Sequence, residues 1–280
     1  MYLEDVLKKR IIVFGTGKKS NTIAKSPLIG KVTFYVDNNR DKWGEIYNKA
    51  IIKNPDDLLL ENKSEVLIVI ASMYYEQISD QLREMGFIED KHYVSSDKII
   101  DEKHSLDLLR KIKEIFEFNH IKYWLDNGTL LGTIRDKKLI EWDKDLDIGI
   151  WKEYETEVLT LLHEYFSEKY IIRIDQNQNC IELREKNNIF ARIMDITTYE
   201  VREKYAVRQW NFKNKNVVVK VPKEFFLNLS NIKLGDCDLS SPANAEEYLQ
   251  IRYGADWHTP RRKWNYIEDD VAISEVKYIR

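Results

Sequence analysis

Cysteine is scarce in this chain. There are two, Cys180 and Cys237, and neither stands in a CxxC or a Cys/His pair of zinc spacing. A disulfide framework is therefore not expected, and two unpaired reduced thiols are. Histidine is equally sparse. His92, His104, His120, His163 and His258 are scattered, with no HxH or HExxH pattern. Long apolar runs are missing. The longest, Val66 to Ala71, is strand length, well short of the ~20 residues of a membrane-spanning helix. Neither sign of charge dominates: 44 Lys and Arg against 47 Asp and Glu leave a net charge of −3, without long single-sign blocks. That balance argues against a nucleic-acid surface or a broad anionic-membrane surface. The opening residues, MYLEDVLKKRIIVFG, mix acids and bases before a short apolar stretch, unlike a secretory signal. The expected location is cytoplasmic. Internal repeats and low-complexity tracts are not found.

What is present suits two ordinary domains, with 43% hydrophobic residues across 280 positions. Residues 1–97 read as a small α/β domain. Apolar strands at 10–14, 32–36 and 66–71, a short strand at 51–52 and one at 92–94 alternate with helical segments to about Lys25, from Asn54 and over 74–85. Alternation of this kind predicts a parallel, Rossmann-like sheet. Gly15-Thr16-Gly17 follows the first strand, and Asp37 ends the second, where a ribose-binding acid would sit. Ser20 stands in place of the third glycine of a dinucleotide fingerprint. Gly15, Gly17 and Asp37 are thus candidate cofactor-binding residues, with a plain strand-to-helix turn as the equal alternative. The stretch VDNNRDKWG resembles the small α/β domains that precede sugar-modifying enzymes.

Residues 98–280 form the second domain. Helices are expected over 106–118, 153–166 and 243–253, and strands at 121–125, 145–150, 169–174, 179–185 and 189–196, with a hairpin over 205–221. Its centre is DNGTLLGTIRDKKLIEWDKDLDIGI, residues 126–150. A Gly128-Thr129 turn opens a short apolar helix, whose free N–H groups suit a phosphate. The strand DLDIGI carries Asp145 and Asp147 two residues apart, hence on one face. Two converging carboxylates are costly unless something positive lies between them, and a divalent metal carrying a phosphate fits. Asp195, in the apolar strand FARIMDI, is the third acid of the expected metal set Asp145, Asp147 and Asp195. The pattern is that of a nucleotidyltransferase fold.

The same stretch resembles the signature of the LicD family, related to the fukutin-related proteins, and AEEYLQIRYGADWHTP at 245–260 resembles that family's closing element. The resemblance spans about the last two thirds of the chain. It implies a transferase moving phosphocholine or a polyol phosphate from a CDP-linked donor to a glycan or glycolipid acceptor, in cell-surface polysaccharide synthesis. It implies Mg²⁺ or Mn²⁺ as cofactor, and Asp145, Asp147 and Asp195 as catalytic residues. Asp126, Gly128, Thr129, Arg135, Lys138, Trp142, Asp143, Arg252 and Tyr253 are the expected substrate contacts, with Asp143 behind the metal and Trp142 more readily placed in the core. Trp257 and His258 lie in the same closing element and Arg261 just after it; Trp257 and Arg261 are further candidates for lining the acceptor or donor pocket. Lys144 stands where the family carries a middle acid, and by alternation it points away from the pair. A lipid-linked acceptor would bring the protein to the inner face of the membrane, and a homo-oligomer is compatible with the sequence. Three other functions compete: a true nucleotidyltransferase releasing pyrophosphate, a non-catalytic binding or assembly module, and an oxidoreductase led by the first domain.

Overall fold

The computed structural model describes residues 1–175 and 177–278. By packing, the chain divides into two compact units, Met1–Glu102 with Lys186–Ala191, and Lys103–Glu185 with Arg192–Arg280. The boundary expected at 97/98 thus falls a few residues later, and a short later segment returns to the first unit because Phe190 packs in that unit's core. Parallel and antiparallel sheets both occur.

The first unit holds strands β1 (Arg10–Phe14), β2 (Val32–Val36), β3 (Ile46–Tyr47), β4 (Ala50–Lys53), β5 (Val66–Ile70) and β6 (Tyr93–Ser95), with helices α1 (Leu3–Val6), α2 (Ser20–Ile23) and α3 (Tyr75–Glu84). The sheet runs β3-β4-β2-β1-β5-β6, parallel from β4 to β6, with β3 antiparallel at one edge. Its strands are apolar on both faces because both faces are covered. Alternation divides them cleanly: Ile11, Val13, Leu67 and Val69 enter one core, Ile12, Phe14, Ile68 and Ile70 the other. Helix α2 is shorter than its apolar spacing suggests, ending before Ser26-Pro27, since proline cannot continue a helix. Gly86, at φ +77°, ends α3 as expected.

The second unit holds α4 (Glu102–Phe118), β7 (Tyr123–Leu125), α5 (Asn127–Arg135), β8 (Asp145–Trp151), α6 (Glu155–Phe166), β9 (Tyr170–Asp175), β10 (Cys180–Glu185), β11 (Ile193–Arg202), β12 (Tyr205–Phe212), β13 (Lys215–Pro222), α7 (Glu224–Leu227), β14 (Ser230–Leu234), β15 (Cys237–Ser241), α8 (Ala245–Tyr253) and β16 (Ile273–Tyr278). An eight-stranded sheet runs β16-β13-β12-β11-β10-β9, and β8 joins it through a parallel pairing with β11, with β7 antiparallel beyond. Leu146, Ile148 and Ile150 of β8 are fully buried in one core. On the other face Gly149 admits Trp124, whose indole would lie 2.3 Å from any Cβ there. Trp124 in turn stacks on Phe226 at 4.3 Å between centroids. The free thiols Cys180 and Cys237 are both buried. Among the described residues, no helix is long and apolar enough to cross a membrane.

Candidate active site

Three backbone features bring the acids together. In the parallel register of β8 and β11, Asp147 stands beside Asp195 and Asp145 beside Ile193. Asp145, Asp147 and Asp195 therefore share a sheet face. Strand β7 ends opposite β8, and the Asp126 N–H donates to the Asp147 carbonyl at 3.1 Å. The first turn of α5 is thereby set against the Asp147 carboxylate. Finally, Arg192, 2% exposed, pins the loop before β8 by donating to the carbonyls of Ile140 at 3.0 Å and Asp143 at 3.2 Å.

The closest carboxylate group is Asp143, Asp145 and Asp147, each offering an oxygen within 4.8 Å of the others. Sequence reasoning expected Asp195 as the third ligand and placed Asp143 behind the metal. In the structure it is Asp143 that clusters with the pair, because its loop turns back under the start of α5. A Cβ on Gly128 would lie 2.1 Å from Asp143 Oδ2, so only glycine lets the carboxylate approach. Asp195 lies outside this group, beside Asp147 on β11, with Oδ1 buried and without a partner among the described residues.

Burial and mutual repulsion raise these carboxyls. Burial first, then the Asp145 charge, pushes Asp143 up to about 8 and Asp195 up to about 7. Burial followed by Asp145, Asp143, Asp195 and Asp126 holds Asp147 well above the usual range. Acids so placed either keep protons near neutral pH or share a cation. Three converging oxygens of hard carboxylates match Mg²⁺ or Mn²⁺.

Asp126 is fully buried and was expected to touch substrate. It serves the fold instead. Its carboxylate accepts from Tyr199 and Tyr248 hydroxyls, each at 2.6 Å, and from the Asn127 N–H at 2.9 Å. Arg252 lies 3.5 Å away. Arg252, expected to bind substrate, is committed as well. It pairs with Asp270 at 2.9 Å and donates to Tyr248 at 2.7 Å and to Asn127 Oδ1 at 2.8 Å. Its guanidinium therefore braces the site while also lining the cavity. Asn127, at φ +40°, passes that bracing on by donating to Asp147 Oδ1 at 3.3 Å. Sequence reasoning missed Asn127, although a positive φ at a helix start suits Asn.

Thr129 was expected to cradle phosphate. It is 2% exposed, its hydroxyl accepts from the Asp147 N–H at 2.7 Å, and its own N–H donates to Asp147 Oδ2 at 3.3 Å. Both groups lock α5 to β8. Arg135 lines the cavity, but its fork is closed on Asp136 by bonds of 2.8 and 2.7 Å. Lys138 pairs with Glu141 at 2.8 Å and lies outside the cavity lining. Trp142, an expected substrate contact although more readily placed in the core, is 38% exposed at the cavity wall, with Arg262 over its ring at 5.4 Å. Tyr253 lines the cavity and packs its ring, tilted by 46°, against Trp264 at 4.7 Å between centroids. Trp257 is buried and stacks on His258, which lies outside the lining.

The acids form the floor of a cavity of about 520 Å³, also lined by Arg208, Trp210, Arg261, Arg262, Trp264 and Tyr266. That volume suits a ligand of nucleotide size. Arg208 and Trp210 were missed, yet alternation along β12 sets them on one face.

In the first unit, Gly15 (φ +107°) makes the tight turn that only glycine enters without strain, and a Cβ there would lie 3.0 Å from the Ala71 carbonyl. Asp37, expected to meet a ribose, is occupied by its own chain. It accepts from the Thr16 N–H at 3.0 Å, Thr16 Oγ1, Lys42 Nζ at 3.2 Å and the Asn39 N–H at 2.9 Å. Gly17 has open space around its Cα, so nothing in its surroundings demands glycine.

A carboxylate cluster thus lies beneath a helix start and faces a cavity rich in guanidinium groups. Residues 120–244 match the family model described as LicD/FKTN/FKRP, nucleotidyltransferase domain. The second unit thus carries a domain similar to the LicD family of phosphotransferases. Residues 7–93 match a second model, C2185-like, N-terminal. An uncharacterized protein of Rickettsia prowazekii is 28% identical over 172 residues, covering 55% of this chain and 56% of that protein. Ribitol-5-phosphate transferase FKTN of Mus musculus is 22% identical over 174 residues, covering 61% of this chain and 36% of that protein. The matches thus span about half the length of the first relative and about a third of the second. Among solved structures, ANT(2")-Ia in complex with adenylyl-2"-tobramycin aligns with a TM-score of 0.39 at 11% identity, over 57% of this chain and 80% of that one.

Proposed function

We propose that the second unit, with a nucleotidyltransferase fold, transfers a phospho-alcohol group from a CDP-linked donor to a hydroxyl of a glycan or glycolipid. The observation that carries this reading is the cluster of Asp143, Asp145 and Asp147 under the first turn of α5. The likeness to ribitol-phosphate transferases supports the class of group transferred. Asp143, Asp145 and Asp147 would hold Mg²⁺ or Mn²⁺, which neutralises charge on the donor diphosphate when bound.

The chain's own residues supply the rest. Asn127 and Thr129 orient the Asp147 carboxylate. Gly128 keeps the helix start open to Asp143. Asp195, with an unpartnered oxygen beside the cluster, takes the proton of the acceptor hydroxyl. The acceptor oxygen then bonds to the phosphorus distal to cytidine, the bond from that phosphorus to the bridging oxygen breaks, and CMP leaves with the electron pair. Positioning and charge neutralisation account for most of the rate in such transfers. The first unit is a Rossmann-like scaffold in this reading, because the acid that would meet a ribose is consumed by Thr16 and Lys42. Choline, glycerol and ribitol phosphates are all compatible donors' groups.

Product analysis tests the proposal. The protein is incubated with Mg²⁺ and CDP-choline, CDP-glycerol, CDP-ribitol or CTP. CMP formed from one CDP-linked compound supports it. Pyrophosphate formed from CTP would replace it with a nucleotidyltransferase, and no product from any donor would point to a binding module.

A further inference from the structure

Five guanidinium groups line the cavity, and they are not equivalent. Arg135 is paired with Asp136, Arg252 with Asp270 and Arg261 with Asp256. Arg208 and Arg262 have no carboxylate partner among the described residues; each lies instead over a tryptophan. Arg262 is exposed, over Trp142. Arg208 is half-buried, 4.8 Å from the centre of the Trp210 ring, and its Nε is buried with no hydrogen-bond acceptor.

A buried guanidinium N–H without an acceptor is costly, and it marks a place built for an anion that arrives later. The cation lies over the Trp210 ring, which holds the side chain at the cavity wall. A planar fork of this kind matches two oxygens of one phosphate. Position narrows the choice of phosphate. Strand β12 follows β11 in the sheet, so Arg208 lies on the Asp195 side of the acid cluster, away from Asp143 and α5. Its charge is felt by the Asp195 carboxyl. The phosphate under attack must lie next to the group that takes the acceptor proton.

Resting on the proposed function above, we infer that Arg208, held by Trp210, receives the non-bridging oxygens of the phosphate being transferred, the one distal to the nucleoside. Arg208 discriminates a diphosphate from a monophosphate nucleotide, while the acid cluster serves both.

Calorimetric titration in Mg²⁺ of CMP, CDP and inorganic pyrophosphate into the wild type and Arg208→Met tests this. Methionine keeps an apolar stem against Trp210 and removes the charge. Unchanged melting temperature and Mn²⁺ affinity establish that the variant is folded with its acids in place. The expected result is that wild type binds CDP more tightly than CMP, and that the variant loses roughly tenfold to a hundredfold for CDP with CMP unchanged. A preference for CDP that survives in Arg208→Met, or an equal loss for both nucleotides, would overturn the role of Arg208 and leave the donor reading standing. Binding of pyrophosphate alone, lost in the variant, would keep the anion subsite and remove cytidine from the account. No binding of any of the three by wild type would overturn both.

Discussion

Gly128→Ala is the sharpest perturbation the site offers. The added methyl would lie 2.1 Å from Asp143 Oδ2, 3.2 Å from its Cγ and 3.5 Å from Asp147 Oδ2. Ordinary contact begins near 3.4 Å, so the Asp143 carboxyl must retreat by more than an ångström. Bonds from carboxylate to Mg²⁺ are held to roughly 2.0–2.1 Å, and such a retreat takes the ligand out of coordination. Metal affinity should fall at least tenfold, by comparison with the roughly 10–100-fold lost when only supporting groups are removed. Stability should change little. Alanine is favoured over glycine in a helix by about 0.5–1 kcal/mol, and the atom it meets is the tip of a side chain that can swing away. Gly132→Ala is the contrast, because its methyl would meet the Lys138 carbonyl at 2.6 Å, and backbone does not yield so readily. That variant should lose about 1–3 kcal/mol of stability. Calorimetric titration with Mn²⁺ and thermal melts of both proteins separate the two effects. A Gly128→Ala protein that binds Mn²⁺ like wild type would refute the placement of Asp143 as a ligand.

Arg252→Met should destabilise the protein by about 3–5 kcal/mol, since Asp126 and Asp270 would stay buried without their cation; chemical denaturation measures it, and a loss below 1 kcal/mol would contradict the bracing role. Metal-free protein should melt at a lower temperature as pH rises from 5.5 to 8.5. The folded state holds protons on Asp143 (about 8), Asp195 (about 7) and Asp147 that the unfolded chain has already released above about 4, so stability falls as pH climbs through that window. Saturating Mg²⁺ should flatten the slope, and a slope unaffected by metal would argue against a shared cation. Asp195→Asn should keep Mn²⁺ affinity while reducing CMP release roughly 10²–10⁴-fold, as loss of a general base does; parallel loss of both would return Asp195 to the ligand set.

The strands were legible because their covering is periodic: both cores of the first unit follow from the alternation of Ile11, Ile12, Val13 and Phe14. The acids of β8 were legible for the same reason. Asp143 has the parity of Asp145 and Asp147, and carrying the alternation one step beyond the strand would have found it. The hairpin of β14 and β15 was overlooked despite Gly235-Asp236 between alternating segments, a two-residue turn signal. Other features leave no local trace. Asp126 looks like a helix cap open to ligand, and only the fold brings Tyr199 and Tyr248 onto it from 73 and 122 residues away. Arg252 is spent on Asp270, 18 residues further along, which no spacing rule anticipates. Thr129 has the right type for a phosphate cradle, but the register of β7 on β8 turns its hydroxyl to the Asp147 backbone.

The measurement that bears most directly on the central claim is a calorimetric titration of Mn²⁺ into wild type, Asp143→Asn and Asp147→Asn, each checked by thermal melt. The account predicts saturable binding by wild type and at least tenfold weaker binding by either variant, with both still folded. Absence of saturable binding in wild type, or affinity unchanged in the variants, would contradict it.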